Sequence, residues 1–167
     1  SIVEAACAAH DVAVLATDVD GDGGKFLLAA GAPTERGHNE ARMLAVARRI
    51  VEAEPEIPVR VGVHRGPVFA GDVGPPYRRT YTVMGDTVNL AARLMASASA
   101  GELRATNDVL DLAASEFVTT KLPPFFRRQS GIATARRMSP IACVRSWSVS
   151  SGFSRTWISA LLRVGKR

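Results

Sequence analysis

The stretch VRVGVHRGPVFAGDVGPPYRRTYTVMGDTVNLAARL, residues 59–94, decides the fold. Its opening, VRVGVH at 59–64, alternates valines with other residues, as a half-buried strand does. Gly66 and Gly71 bracket a second strand, PVFAG. The glycine- and proline-rich DVGPPY that follows reads as a turn. Residues 80–84, TYTVM, are a further short strand, and Asp86 or Thr87 can cap a helix that runs to about Ser97.

The same reading extends in both directions. Residues 2–9 form the last turns of an amphipathic helix. Val12–Thr17 and Lys25–Ala30 are apolar runs joined by DVDGDGG, and Asp-Gly and Gly-Gly pairs favour tight hairpins. In EARMLAVARRIVEAE, residues 40–54, Met43, Leu44, Val46, Ala47, Ile50 and Val51 recur at helical spacing, with most Arg and Glu residues on the other face. Pro55 and Pro58 end that helix. Downstream, 102–106 reads as a strand, 107–114 as a short helix and 117–122 as a last strand. This order predicts an α+β domain, an antiparallel or mixed sheet covered by helices on one face.

At 167 residues the chain holds one compact domain, and 47% apolar with 22% charged residues is ordinary for a globular protein. No apolar run approaches the roughly 18 residues of a membrane-spanning helix, and the N-terminal residues lack the basic cluster of a signal peptide. A cytoplasmic location is expected. Cys7 and Cys143 are the only cysteines and form no CxxC or Cys/His cluster, so both are expected to be small buried thiols. The net charge of +5 hides an asymmetry: residues 126–167 hold nine basic residues and no acid, whereas residues 1–125 carry −4.

Residues 59–94 closely resemble the catalytic domain of class III adenylate and guanylate cyclases, through the strand, Gly-turn, second strand and YxxxGxxVNxAxRL at 81–94. GGKFLLAAGAP and NEARMLAVARRI extend the resemblance upstream, so that it covers about residues 1–125. The likeness is strongest to the second, metal-free half of soluble-type adenylate cyclases and their bacterial relatives. It implies a ferredoxin-like core and conversion of ATP or GTP to the cyclic nucleotide with release of pyrophosphate. It further implies a homo- or heterodimer whose sites draw on both partners. One partner supplies two Asp for two Mg or Mn ions; the other supplies purine-reading residues and an Asn–Arg pair.

Carried over by position, Asn89 and Arg93 match the catalytic pair. Their i, i+4 spacing puts both on one helix face. The Asn can hold the ribose, and the Arg offers permanently charged donors to the phosphate. Thr82 falls at the second purine-reading position, and its hydroxyl can donate and accept. Lys25 is a candidate for the first purine-reading residue, its register depending on the length of the turn before it. In either register, Gly24 or Ala29 stands where the second metal-binding Asp belongs. The first metal-binding Asp would lie on a strand preceding residue 1, so the fold is expected to be truncated at that strand. A sheet without it exposes unpaired backbone groups and is marginal unless a partner covers them. The resemblance therefore implies no metal site in this chain, with ligands for Mg or Mn coming from a partner.

Three other readings are weaker. Asp18, Asp20, Asp22 and Gly23 match the first half of a calcium-binding loop, but Ala29 stands at its twelfth position. His10, His38 and His64 are too scattered for a metal site. The match to the family stops abruptly after KLPPF at 121–125, as a reading-frame change in the coding sequence would produce. The Ser- and Arg-rich tail, 126–167, shows no sustained period except at Trp157–Val164, and no packed fold is expected over 127–156. The expected function is thus a cyclase-family protein inactive alone. The alternatives are a regulatory pseudo-cyclase or degenerate gene product, and a nucleic-acid-binding protein using its basic tail. Basic composition alone is weak support for the last, so neither nucleic acid nor membrane is an expected partner.

Overall fold

A computed structural model describes residues 1–20, 23–53, 58–113, 119–122, 126–127, 132–133, 135–138 and 157–164. The elements run α1 (Ile2–Ala9), β1 (Ala13–Asp20), β2 (Gly23–Ala30), α2 (Asn39–Glu52), β3 (Val59–Gly66), β4 (Phe69–Val73), β5 (Thr80–Met84), α3 (Asp86–Ser97), β6 (Glu102–Thr106) and α4 (Asn107–Leu112). They continue as β7 (Thr119–Lys121), β8 (Phe126–Arg127), β9 (Ile132–Ala133), β10 (Ala135–Met138) and β11 (Trp157–Val164). A seven-stranded sheet has the order β1-β2-β11-β3-β6-β10-β7. Every neighbouring pair in it is antiparallel except β3 with β6. β4 and β5 form a separate antiparallel ribbon, as do β8 and β9.

Period-two alternation divides the sheet into two faces. On one, Phe26, Leu28 and Ala30 of β2, Val59, Val61 and Val63 of β3, and Leu103 and Ala105 of β6 meet the apolar faces of α1, α2 and α4. Met43, Leu44, Val46, Ala47 and Ile50 of α2 are all buried there, as their helical spacing predicts. The other face carries a smaller cluster. Leu15, Leu27 and Ala29 pack with Ala70, Tyr81 and Val83 of the β4–β5 ribbon and with Val88 of α3.

Helices therefore cover both faces, not one. The physical reason is in β3: Gly62 and Gly66 stand on the face opposite the three valines. A Cβ on Gly62 would lie 2.3 Å from the Ala91 carbonyl oxygen and 2.4 Å from the Met95 amide nitrogen. A Cβ on Gly66 would lie 2.6 Å from Thr87 Oγ1. The bare strand is what lets α3 seat its backbone directly on the sheet.

The cap of α3 also differs from expectation. The N-cap is Gly85, with φ 137° and ψ −179° and no side-chain hydrogen bond. Thr87 instead donates its hydroxyl to the Pro67 carbonyl at 2.6 Å. That bond ties the first turn of α3 to the β3–β4 connection, and Asp86 in the same turn suits the helix dipole.

The place between β2 and β3 is taken by β11, antiparallel to both. The expected row of unpaired backbone groups at this point is thus covered by the chain itself. β11 coincides with the one periodic stretch of the tail. The remainder of 127–156 apart from β8, β9 and β10, where no packed fold is expected, lies outside the described residues, as does Cys143.

Candidate functional site

Helix α3 presents two faces of opposite character. Thr87, Ala91, Leu94 and Met95 are buried, whereas Asp86, Asn89 and Arg93 are exposed. Asn89 and Arg93 lie on the exposed side, one turn apart, and the Asn89 backbone N–H donates to the Gly85 carbonyl at 3.2 Å. The helix backbone is held by β3, with this pair on the side that stays exposed.

Thr82 reaches this region from β5, three residues before Gly85. It stands opposite Gly71 of β4, half-buried. Tyr81 and Val83 point into the smaller apolar cluster. Alternation therefore turns Thr82 to the outer face of the ribbon. Its companions on that face are Phe69 and Met84, which stand opposite each other, and Val73. These three apolar side chains are 59%, 44% and 38% exposed. Sequence reasoning missed this surface. The alternation of β4 and β5 is legible, but both faces hold apolar residues, so the pattern alone cannot say which is outward.

Lys25 lies on β2 with Asp18 of β1 and Arg163 of β11 at its register positions. It is half-buried and shares the strand face of Leu27 and Ala29, the side on which α3 and the ribbon lie. All four predicted residues thus belong to one side of the sheet. Thr82, Asn89 and Arg93 are brought close in the chain by the β5–α3 turn, and Lys25 comes from a separate hairpin.

The metal expectation can be tested on the residues themselves. Hairpin pairing of Asp18 with Lys25 and of Asp20 with Gly23 places 18–20 and 23–24 in β-strands, a conformation that a calcium loop does not adopt. Among the described residues no group of three His, Cys, Asp or Glu side chains could hold an ion. Gly24 and Ala29, at the positions considered for the missing carboxylate, offer no ligand. At those two positions the chain therefore supplies no carboxylate to a metal ion.

The remaining polar clusters are structural. His64 Nδ1 is 3.1 Å from Thr106 Oγ1. Burial lowers the imidazole pKa and Arg65 adds to this, against the opposing pull of Asp108. Glu102 accepts from the Ser99 amide at 2.7 Å and from Arg104 Nε at 2.9 Å. Burial works against its charge, yet these donors and the Arg104 charge hold its carboxyl below the ordinary value. Cys7 is buried, and burial pushes its thiol up to about 11, so it is an inert core thiol.

Comparison with known proteins agrees with this architecture. The model of the adenylate and guanylate cyclase catalytic domain matches residues 8–128. An uncharacterised protein of Mycobacterium tuberculosis is 40% identical over 101 residues, covering 57% of this chain and 19% of that protein. A germination-specific adenylate cyclase of Dictyostelium discoideum is 33% identical over 87 residues, covering 48% of this chain and 10% of its own length. The chain therefore spans less than a fifth of the length of these two relatives. Among solved structures, the catalytic core of a rhodopsin-guanylyl cyclase with converted specificity, in complex with ATPαS, superposes with a TM-score of 0.72 at 24% identity. That match covers 82% of this chain and 76% of the other, and it shows a shared fold. With more than half of its residues matched by the family model, the chain belongs to the adenylate and guanylate cyclase catalytic domain family.

Proposed function

We propose that this domain is a non-metal-binding partner in a nucleotide cyclase, inactive alone. In this reading it lends Thr82, Asn89 and Arg93 to a site that a second cyclase domain completes. The observation that carries the reading is the outward pairing of Asn89 and Arg93 on α3, beside the exposed Phe69, Met84 and Val73 of the ribbon that bears Thr82. Polar groups suited to a nucleotide thus adjoin an apolar surface suited to a second domain. The substrate is ATP or GTP. Thr82 reads the purine edge, with Lys25 as a second contact. Asn89 orients the ribose, and Arg93 stabilises negative charge that builds on the phosphate during displacement of pyrophosphate. Mg or Mn would be held by carboxylates of the partner, because Gly24 or Ala29 stands here where the second metal-binding Asp belongs.

The test is a cyclase assay with Mg²⁺ or Mn²⁺ on the purified chain, alone and mixed with a metal-binding cyclase half-domain. Turnover in the mixture and none in the chain alone supports the reading. Cyclic nucleotide made by the homogeneous chain contradicts it. A folded chain that binds the half-domain yet yields no turnover points instead to a regulatory pseudo-cyclase. No helix among the described residues is long and apolar enough to cross a membrane.

A further inference from the structure

The first turn of α3 has no cap of the usual kind, because Gly85 at the N-cap offers no side-chain acceptor to the helix amides. The turn is tied instead by Thr87, a buried residue whose hydroxyl donates to the Pro67 carbonyl at 2.6 Å. That bond links residues twenty positions apart, and the segment it closes contains the whole β4–β5 ribbon. We propose that Thr87 is a positioning residue for nucleotide turnover: through Pro67 it holds the start of α3 against the root of the ribbon, and so sets Asn89 and Arg93 relative to Thr82. The inference rests on the reading of those three residues as the nucleotide-contacting set.

The ribbon leaves and rejoins the sheet at one corner. Pro67 stands two residues before Phe69, whose register partner is Met84, the neighbour of Gly85. Strand pairing alone does not fix where α3 starts from there, because Gly85, at φ 137°, is a joint in a region of backbone conformation open mainly to glycine. A Cβ at Gly85 would lie 3.8 Å from the Pro67 carbonyl oxygen and 3.9 Å from Val68 Cα, so the turn passes over the same corner. Val68 and Val88 both pack against the smaller apolar cluster. Apolar contact is non-directional and tolerates sliding, whereas a hydrogen bond has a preferred length and angle. Thr87 supplies that directional contact.

Asn89 moves with it. The Val88 and Asn89 amides both donate to the Gly85 carbonyl, at 3.1 and 3.2 Å, so the residue two places after Thr87 belongs to the same first turn. Arg93 follows one turn later on the same rigid helix. A displacement of about 1 Å in groups that orient reacting atoms can cost on the order of 100-fold in rate.

Gly66 allows the bond to be broken without deleting the side chain. A Cβ there would lie 2.6 Å from Thr87 Oγ1, but 3.4 Å from Cγ2 and 3.6 Å from Cβ. In Gly66→Ala the Thr87 side chain has to turn its hydroxyl off Pro67 while the residue stays in place.

The test measures kcat and KM for the nucleotide in the mixture with a metal-binding cyclase half-domain, together with urea unfolding midpoints and amide hydrogen exchange of the chain alone. Thr87→Val and Gly66→Ala should each lower kcat by roughly 10- to 100-fold with KM changed by less than about threefold. Thr87→Ser keeps the hydroxyl and should stay within about threefold of the wild type in kcat. Gly66→Ala should act at an unfolding midpoint close to that of the wild type, which a purely structural role of Thr87 would not produce. The Val88 and Asn89 amides should exchange at least about tenfold faster in Thr87→Val and Gly66→Ala, while those of Leu94 and Met95 keep their protection.

Full kcat in Thr87→Val, or a loss in Thr87→Ser as large as in Thr87→Val, overturns the proposal and leaves the reading of Asn89 and Arg93 standing. If Thr87→Val does not fold, Gly66→Ala decides by the same criteria. Absence of turnover in every mixture, wild type included, counts against the functional reading; exchange then decides the placement alone. Faster exchange of Val88 and Asn89 in the two variants supports it, and equal exchange in all the proteins overturns it.

Discussion

Replacing Gly62 by alanine should be a severely damaging single-methyl addition. The new Cβ would sit 2.3 Å from the Ala91 carbonyl oxygen, 2.4 Å from the Met95 amide nitrogen and 3.0 Å from Leu94 Cβ. Non-bonded heavy atoms settle at about 3.5–4.0 Å, so α3 has to retreat by roughly 1 Å. The nearest obstructing atoms are backbone, so no rotamer change relieves the clash. Overpacking of this kind costs about 1–3 kcal/mol, and rigid neighbours put Gly62→Ala at the upper end. Loss of glycine's freedom in the unfolded chain returns about 0.4–1 kcal/mol, leaving a net loss of about 2 kcal/mol.

Two other glycines calibrate the series. At Gly66 the obstacle is the Thr87 hydroxyl at 2.6 Å, which can turn away if it gives up its bond to Pro67. That bond contributes about 1 kcal/mol, which nearly cancels the gain in the unfolded state. At Gly71 the nearest atom is on the Phe69 ring at 3.4 Å, an ordinary contact. Gly71→Ala should be neutral. Urea unfolding with an unchanged m-value measures all three. If Gly62→Ala and Gly71→Ala agree within about 0.5 kcal/mol, the close seating of α3 on β3 is refuted.

Other consequences are open to direct measurement. Arg42 donates to the carbonyls of Gly37 at 3.1 Å and Asp11 at 2.7 Å and to Asn39 Oδ1 at 2.6 Å, so Arg42→Ala should cost about 1–3 kcal/mol in urea unfolding. The lowered pKa of Glu102 means that its contribution is fully present above about pH 4.5 and is lost as pH falls through the folded-state value. The stability advantage of the wild type over Glu102→Gln should accordingly shrink below about pH 4.5, as followed by unfolding midpoints across pH. Phe69→Ser should leave unfolding within about 0.5 kcal/mol, because the ring is exposed, yet weaken association with a cyclase half-domain in sedimentation.

Local pattern and long-range placement were legible to different degrees. The periodicity of 40–54 marks α2, and the alternation of 59–64 and 80–84 marks β3 and β5, because side-chain period is set by local geometry. The Asn89–Arg93 pair follows from helical spacing once α3 is recognised. The cover of both sheet faces did not follow, because it depends on what Gly62 and Gly66 touch, and a glycine in a strand does not announce its neighbour. The α3 cap was missed for a related reason: Thr87 has a better acceptor in Pro67, distant in sequence. Trp157–Val164 stood out as periodic, but the central position of β11 is a matter of non-local pairing that no local pattern encodes.

The most direct test of the central claim makes this chain the sole source of the Asn–Arg pair. A metal-binding cyclase half-domain whose own pair has been substituted is mixed with this chain, and with its Asn89→Ala and Arg93→Ala variants, and cyclic nucleotide formation is measured. The account predicts turnover with the unmodified chain and a loss of about 100- to 1,000-fold with Arg93→Ala, in folded protein that still associates. Turnover that is indifferent to both substitutions, or that appears with the chain alone, would contradict it.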